Sequence, residues 1–328
     1  MNAKQLTILG VVLVVLVAAV AVQRVRLRQE IVRDETQSLN IRVDTGGVDR
    51  VTITKGIAEP PAVELTRADA AWSLPSVWHA KADGERIKRL LTRLTELAGE
   101  ARGNSETLFD DFGITDAKAI HLALYQNNAE RLHLLIGTAQ VGWDQFFARR
   151  AGSPAVFLCR SNLLSSELGI FGNIESAAVK AESWVDYHLI SAAPEAVHHL
   201  ELREGSGDWR ALDGPPPQSL LNLRATQVVD PQGAGYGLES PGWQLRVMKK
   251  EGAPLELAVG GAVAGTAETR YVKITTEPPL MVRNGAVPFP SPPPAGFAIY
   301  AVSSSLLDQL KTELAQPKPP APDAHPKS

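Results

Sequence analysis

The chain has little of what usually carries chemistry or cross-links. Cys159 is the single cysteine among 328 residues, which excludes an intrachain disulfide and a zinc site built from several thiolates. Lys plus Arg (33) nearly balance Asp plus Glu (36), so the net charge of −3 gives no basic footprint for nucleic acid. No serine lies in a Gly-x-Ser-x-Gly elbow, the signature of many hydrolases.

What is present is typical of a folded protein. Hydrophobic residues make up 44% and charged residues 21% of the chain, which is outside the range of intrinsically disordered sequences. A chain of 328 residues has room for two domains of ordinary size, each able to bury its own core. We therefore expect two folded units.

The amino-terminal region contains a long apolar run without a charge. Gln5 to Gln23 carries no charge and residues 6–23 are almost wholly apolar. As a helix this run would reach about 28 Å, close to the hydrocarbon thickness of a bilayer. We predict a retained transmembrane helix over 6–23. A cleaved signal peptide is the alternative, because Ala19-Val20-Ala21 resembles a small-residue cleavage site.

The side of the membrane on which the body lies is not decided by charge. Arg24, Arg26 and Arg28 follow the apolar run, whereas Lys4 precedes it. This count favours a cytoplasmic body, but large domains translocate despite flanking charge. The sequence alone therefore predicts a single-pass membrane protein and leaves the side of its soluble part open.

Hydrophobic periodicity predicts strands broken by one clear helix in the first half. Residues 48–74 alternate apolar and polar types in short segments separated by glycine and proline, which indicates an antiparallel meander. Ile87 to Leu97 follow helical spacing instead, with basic residues on the opposite face. Further alternating segments meet at Asn127-Asn128, a turn signal. This pattern predicts an α+β fold with a mostly antiparallel sheet.

A set of short motifs occurs twice in the same order. Three of them recur about 124 residues later, and the fourth follows a proline-rich insertion. We interpret this recurrence as a duplicated unit, so that the motif residues belong to the scaffold. The first set is Phe112-Gly113-Ile114, Leu135-Ile136-Gly137, Phe147-Ala148-Arg149 and Val156-Phe157-Leu158; the second is Tyr236-Gly237-Leu238, Val259-Gly260, Tyr271-Val272-Lys273 and Ile299-Tyr300-Ala301.

Several residue clusters could carry chemistry, and each has a simpler structural interpretation. His198-His199 with Glu201 lacks a third ligand at a recognisable spacing, so we expect ordinary strand residues and no metal. Asp110-Asp111 is expected to be solvated, and Gly260 to Gly265 lacks the lysine of a phosphate loop. Cys159, in an apolar strand, is expected to be a buried small hydrophobe. We predict no catalytic residue, no metal ligand and no cofactor.

Taken in order, these motifs resemble the bacterial family known as domain of unknown function 4340. The resemblance is carried by Val48 to Val51, Trp72-Ser73-Leu74 and the first set of repeated motifs, and it covers about residues 40–170. Members of that family are typically anchored by one amino-terminal span and often accompany gliding-type ABC exporter components. The resemblance therefore implies a single-pass protein of the bacterial inner membrane whose soluble part is periplasmic. It also implies an accessory role at the cell envelope and supplies no catalytic residues.

These observations define the expected organisation and function. We predict a membrane-anchored, non-enzymatic envelope protein that binds an ABC-type transporter or other envelope proteins, and not nucleic acid. The alternatives are a ligand-binding protein or enzyme using a cleft between the two repeat units, and a structural envelope spacer. The predicted segments are a short tail (1–5), a transmembrane helix (6–23), a juxtamembrane stalk (24–46), a first α+β repeat unit (47–170), a bridge (171–190), a second unit (191–312) with a Pro-rich insertion (281–295), and a Pro-rich tail (313–328).

Overall fold

The computed structural model describes residues 39, 41–68, 71–139, 141–142, 144–170, 174, 178–190, 193–251, 253–276 and 297–315. The predicted transmembrane helix over 6–23 and the Pro-rich insertion over 281–295 lie outside these residues, as do most of the stalk and of the tail. Within the described residues, no helix is long and apolar enough to cross a membrane.

The described residues of the first half form nine strands and two α-helices. The strands are β1 (Arg50–Lys55), β2 (Val63–Ala68), β3 (Ala71–Leu74), β4 (Ala80–Lys81), β5 (Gly99–Asn104), β6 (Ile120–Gln126), β7 (Ala129–Ile136), β8 (Gln145–Arg150) and β9 (Ala155–Arg160), and the helices are α1 (Gly84–Thr95) and α2 (Leu163–Ser166). The nine strands form one sheet, in the order β4-β3-β2-β1-β6-β7-β8-β9-β5.

The second half forms a seven-stranded sheet with two more helices. Its strands are β10 (Val197–Glu204), β11 (Arg210–Leu212), β12 (Ala225–Val229), β13 (Trp243–Lys249), β14 (Leu255–Val263), β15 (Thr266–Thr276) and β16 (Phe297–Ser303), and its helices are α3 (Gln218–Leu221) and α4 (Ser304–Ala315). The order is β11-β10-β13-β14-β15-β16-β12.

The predicted fold class is wrong. The prediction was α+β, with an amino-terminal transmembrane helix followed by two tandem, duplicated sheet-plus-helix units. The described residues instead form two mostly antiparallel sheets with few helices, and α2 and α3 have only four residues each. The physical reason is that, among the residues that the structure describes, α1 and α4 are the helices with long-helix periodicity, whereas the apolar residues of the strands alternate with polar ones.

The two sheets nevertheless share an order of strands. In the first sheet seven strands lie side by side in the order β2-β1-β6-β7-β8-β9-β5, and in the second sheet the corresponding strands lie in the order β11-β10-β13-β14-β15-β16-β12. All neighbouring strands whose residue register is defined run antiparallel to each other. The repeated motifs therefore fall at equivalent places of two similar sheets.

The chain divides into two compact units that interleave in sequence. Residues 1–63 and 85–180 form one unit, and residues 64–84 and 181–328 form the other. Hydrogen bonds join the segment 64–84 to the residues at the start of the second half. The amide of Asp83 donates to the carbonyl of Trp184 at 2.8 Å. Lys81 also pairs with Asp186 at 2.7 Å.

A buried carboxylate holds α1 in the first unit. Glu167 is 1% exposed and accepts a hydrogen bond at 2.8 Å from Nε of Arg93. Nε of Arg86 donates to the backbone carbonyl of Glu167 at 2.8 Å, and Nε of Arg89 lies 3.5 Å from the carboxylate. Arginines three and four positions apart share one helix face, so three of them converge on the residue that follows α2. The opposite face buries Ile87, Leu90, Leu91 and Leu94.

Helix α4 covers part of the second sheet. It packs on β15 and β16 and buries Leu307, Leu310 and Leu314. Leu306 lies on the solvent side and is 38% exposed. The helix is thus amphipathic, with a well-defined buried stripe.

Replacement of Leu310 by alanine is expected to destabilise the second unit by about 2–5 kcal/mol, because the fully buried side chain would leave a cavity. Denaturant unfolding of the purified protein measures the change. Leu306→Ala in the same helix is the matched control and should change the unfolding free energy by less than about 0.5 kcal/mol. Equal effects of the two substitutions would contradict the assigned orientation of α4.

Candidate functional site

The motif Phe112-Gly113-Ile114 lies in the segment between β5 and β6 and docks onto the end of β7. Gly113 has a φ of +62°, a left-handed conformation that glycine adopts without strain. Its carbonyl accepts a hydrogen bond from the amide of Thr138 at 3.1 Å. Gly137 is needed because a Cβ there would clash with the carbonyl of Phe112 and lie 2.9 Å from Cγ2 of Ile114. These residues form what we call the first loop clamp, residues 109–116 held against β7 and β8.

Arg149 of β8 fixes the other end of the first loop clamp. Its side chain is 6% exposed, and Nε donates to the carbonyl of Ile114 at 2.9 Å. Nη2 pairs with the carboxylate of Asp116, and the guanidinium lies 4.3 Å from the ring centroid of Phe109. A planar, permanently charged group can satisfy all these contacts at once. These contacts of the Arg149 side chain hold the loop against the sheet.

Aromatic packing closes the centre of the clamp. The rings of Phe112 and Phe147 have centroids 4.1 Å apart and are tilted by 34°. Pairs of this kind contribute beyond the area they bury. The apolar contact and the backbone hydrogen bonds thus act on the same three-residue motif.

The second unit contains a related clamp with a different anchor. The carbonyl of Tyr236 accepts from the amide of Gly261 at 2.8 Å, and a Cβ on Gly260 would clash with that carbonyl. The rings of Tyr236 and Tyr271 have centroids 4.6 Å apart. At the position that corresponds to the buried arginine stands Lys273, which lies over the ring of Phe297 at 4.2 Å instead. The glycine contact therefore recurs, while the charged anchor does not.

Two histidines lie beside the first loop clamp. Nδ1 of His121 and Nε2 of His133 are 3.0 Å apart, and Nε2 of His121 is 2.7 Å from the carbonyl of Asp116. Desolvation lowers the pKa of His133, and the neighbouring His121 lowers it further. Sequence inspection missed this pair, because the two residues are separated by a hairpin and only the register of β6 and β7 brings them together.

The candidate residues His198, His199 and Glu201 lie in or beside a row of ion-paired side chains on the second sheet, which we call the ion-paired row. A register shift between Val197 and His199 interrupts strict alternation, and the two imidazoles lie 5.0 Å apart. Glu201 is 3.5 Å from Nε2 of His199 and accepts from Nη1 of Arg246 at 2.9 Å. Within the part of the chain that the structure describes, no group of three or more His, Cys, Asp or Glu side chains could hold a metal ion.

The row extends across three neighbouring strands of the second sheet. Arg246 of β13 lies between Glu201 of β10 and Glu256 of β14, to which it donates at 2.7 Å. Trp209 covers the guanidinium, with its ring centroid 4.1 Å away, and also lies 5.0 Å from the guanidinium of Arg203. Trp72 is buried, whereas Trp209 is half-buried over the arginines.

The remaining sequence candidates occupy structural positions. Asp110 pairs with Lys118 at 2.6 Å on the surface, and Asp111 is exposed. The glycine-rich segment begins in β14 and ends in the turn before β15, where Gly265 has a φ of +84°. Cys159 is buried in β9, and burial raises the pKa of its thiol to about 12. A thiol with such a pKa is not a nucleophile at neutral pH.

Comparison with known proteins identifies one family. Residues 72–231 match the family model described as Domain of unknown function (DUF4340). No curated protein and no solved structure matches the chain. The matched segment contains the whole first loop clamp together with Arg149 and ends before the tyrosine motif of the second. The family match therefore includes the charged clamp of the first unit.

Gly137→Ala is expected to destabilise the first unit by about 1–3 kcal/mol, because the new methyl group would displace the carbonyl of Phe112 from β7. Thermal or denaturant unfolding measures the loss. Gly84→Ala is the matched control, since a Cβ at Gly84 meets nothing within 4 Å and its φ is not left-handed. A Gly137→Ala protein as stable as the control would show that the loop does not depend on this close approach.

Proposed function

Because residues 72–231 of this chain belong to the family described as domain of unknown function 4340, we propose that the protein is a membrane-attached, non-enzymatic component of the bacterial cell envelope. In this proposal it binds a protein partner and serves as an accessory of an ABC-type transport system. The observation that carries the proposal is the Trp209–Arg246 stack on the second sheet.

The stack has the composition of a protein-binding surface. Tryptophan and arginine are enriched among the residues that dominate binding energy at interfaces. Trp209 is half-buried, so part of its ring is available to solvent, and Arg246 is held from both sides by Glu201 and Glu256. A partner that contacts this surface would meet side chains whose rotamers are already restrained, which reduces the entropic cost of binding.

The strands beneath the stack support it further. Arg246 lies in β13, which is paired on both sides by β10 and β14, so the row is carried by three consecutive strands. Sites built on regular elements hold their geometry better than sites on loops. The ion-paired row would also fix the orientation of a bound partner, through complementary charges on the two surfaces.

Membrane attachment is proposed from the sequence of the amino-terminal region. The uncharged run from Gln5 to Gln23 is long enough to reach across the hydrocarbon layer. Residues 6–23 would attach the protein to the inner membrane, and the two sheet units would face the periplasm. This arrangement would place the Trp209 surface where envelope proteins are accessible.

Replacement of Trp209 by alanine should reduce recovery of the partner by about tenfold or more, since loss of a central anchor typically costs 2 kcal/mol or more. The measurement is affinity purification of the tagged, full-length protein from detergent-solubilised membranes, followed by quantitative mass spectrometry. Ile57→Ala, which truncates an apolar side chain that is 75% exposed in the first unit, is the matched control and should retain the partner. Recovery of no envelope protein by the unmodified chain, or equal recovery by Trp209→Ala, would refute the proposal.

Membrane attachment has a separate test. The full-length protein is expected in the membrane fraction after carbonate washing, whereas a chain starting at Arg24 should appear in the soluble fraction. A reporter fused after Leu310 should be active if it is of the type that requires export, and inactive if it requires the cytoplasm. The opposite reporter result would place the two units in the cytoplasm.

A further inference from the structure

The backbone carbonyl of Asp116 determines the hydrogen positions of the His121–His133 pair. A carbonyl can only accept, so Nε2 of His121, 2.7 Å away, carries a proton. In neutral His121 the other nitrogen, Nδ1, is then an acceptor. His133 must donate to it from Nε2 across the 3.0 Å contact. Both neutral rings are therefore protonated on Nε2.

This arrangement distinguishes the first added proton from the second. The bare Nδ1 of His133 lies 3.4 Å from Oε2 of Glu130, so a first proton there faces a carboxylate and leaves the ring-to-ring hydrogen bond intact. A second proton has to enter on Nδ1 of His121, the atom that accepts that bond. Two imidazolium groups would then oppose each other with hydrogen atoms pointing inward. The contact tolerates one charge and not two.

The surroundings limit how much positive charge the pair can accept. Asp116 and Glu130 contribute negative charge, but the Asp116 carboxylate is already paired with Arg149. Lys118 is engaged with Asp110, and β1 presents the uncharged Thr54 opposite His121. Desolvation is the largest influence on the pKa of His133 and lowers it; Glu130 raises it, His121 lowers it, Asp116 raises it and Arg149 lowers it.

We propose that His121 and His133 form an acid-sensitive latch on the first loop clamp. When both rings are protonated, their hydrogen bond breaks, His121 is displaced from the carbonyl of Asp116, and the 109–116 segment loosens from the sheet. The Phe112–Phe147 contact and the Arg149 anchor act on the same segment, so its release would uncover an aromatic face of β8. This inference is independent of the proposed partner and of membrane attachment.

The direction of the pH effect follows from the lowered pKa of His133. An ordinary histidine in the unfolded chain has a pKa of about 6.5. Because the folded state disfavours the proton, the stabilisation is fully present above about pH 6.5 and is lost as the pH falls through the lower, folded-state pKa. Because opening requires a second proton as well as this first one, loosening is expected in acidic solution, at a pH no higher than that at which His133 is protonated.

Hydrogen exchange of the full-length protein tests the latch directly. The amides of Ile114 and Ala119, which donate to Phe109 and Thr115, report on the clamp segment. After correction for the intrinsic pH dependence of exchange, their protection should fall about tenfold or more between pH 7.5 and pH 5.0. Protection of the β13–β14 hairpin in the second unit should stay constant over the same range.

His133→Gln separates a titrating latch from a merely structural contact. The glutamine amide can donate to Nδ1 of His121 when that ring is neutral and can accept from it when it is protonated, so one contact survives in both states. The variant should fold and show protection of the clamp segment that no longer depends on pH. His198→Gln, an exposed histidine of the second sheet, is the control and should keep the pH dependence of the unmodified protein.

Two results would overturn the proposal. The first is a clamp segment whose protection is the same at pH 7.5 and 5.0, or falls equally in His133→Gln. The second comes from nitrogen NMR of the imidazole rings, which does not depend on any variant. At pH 7.5 both rings should carry their proton on Nε2, and a proton on Nδ1 of His121 would exclude the hydrogen-bond chain on which the latch depends.

Discussion

The close approach of a backbone carbonyl to a glycine determines the local architecture of the first unit. The carbonyl of Phe112 occupies the space that a side chain would take at Gly137. Because the loop can come that near, the Gly113 carbonyl reaches the amide of Thr138, and the Phe112 ring reaches Phe147. A methyl group at one position would separate all of these contacts together. The contacts of the clamp are therefore cooperative, because all of them depend on the absence of a Cβ at Gly137.

The same constraint recurs in the second unit, but its electrostatics differ. Gly260 admits the carbonyl of Tyr236 in the same manner, so the shape of the contact is shared by both sheets. In the first unit the loop is also held by the charge of Arg149, and the arginine in turn lies beside a pair of titratable rings. In the second unit the corresponding residue, Lys273, lies over Phe297 instead, so the arginine anchor has no counterpart there. Sensitivity to protons is therefore expected of the first clamp alone.

Sequence reasoning assigned the repeated glycine motifs to the scaffold, but it found neither the close backbone contacts nor the side-chain clusters. Gly137 and Gly260 stand out in the sequence because each follows an apolar run in a repeated motif, and from the sequence they are interpreted as strand-end turns. Helix α1 is equally visible from its apolar spacing. The His121–His133 pair is not visible, since it depends on a diagonal contact across a hairpin whose register shifts between Leu124 and Tyr125. The Trp209–Arg246 stack depends likewise on long-range pairing.

The fold class failed for a related reason. One well-marked helix in the first half suggested that helices would accompany each sheet, yet α3 spans a single turn where the second half has its proline-rich break. Helix α3 begins directly after Pro217, and the second sheet is completed by strands and by α4, which follows its last strand. The two sheets therefore keep one strand order while differing in what covers them. The polar side chains differ in the same way: the first sheet carries a buried arginine beside histidines, and the second an ion-paired row beneath a tryptophan. A shared strand order thus carries two different polar arrangements, one that we propose responds to protons and one that we propose binds a partner.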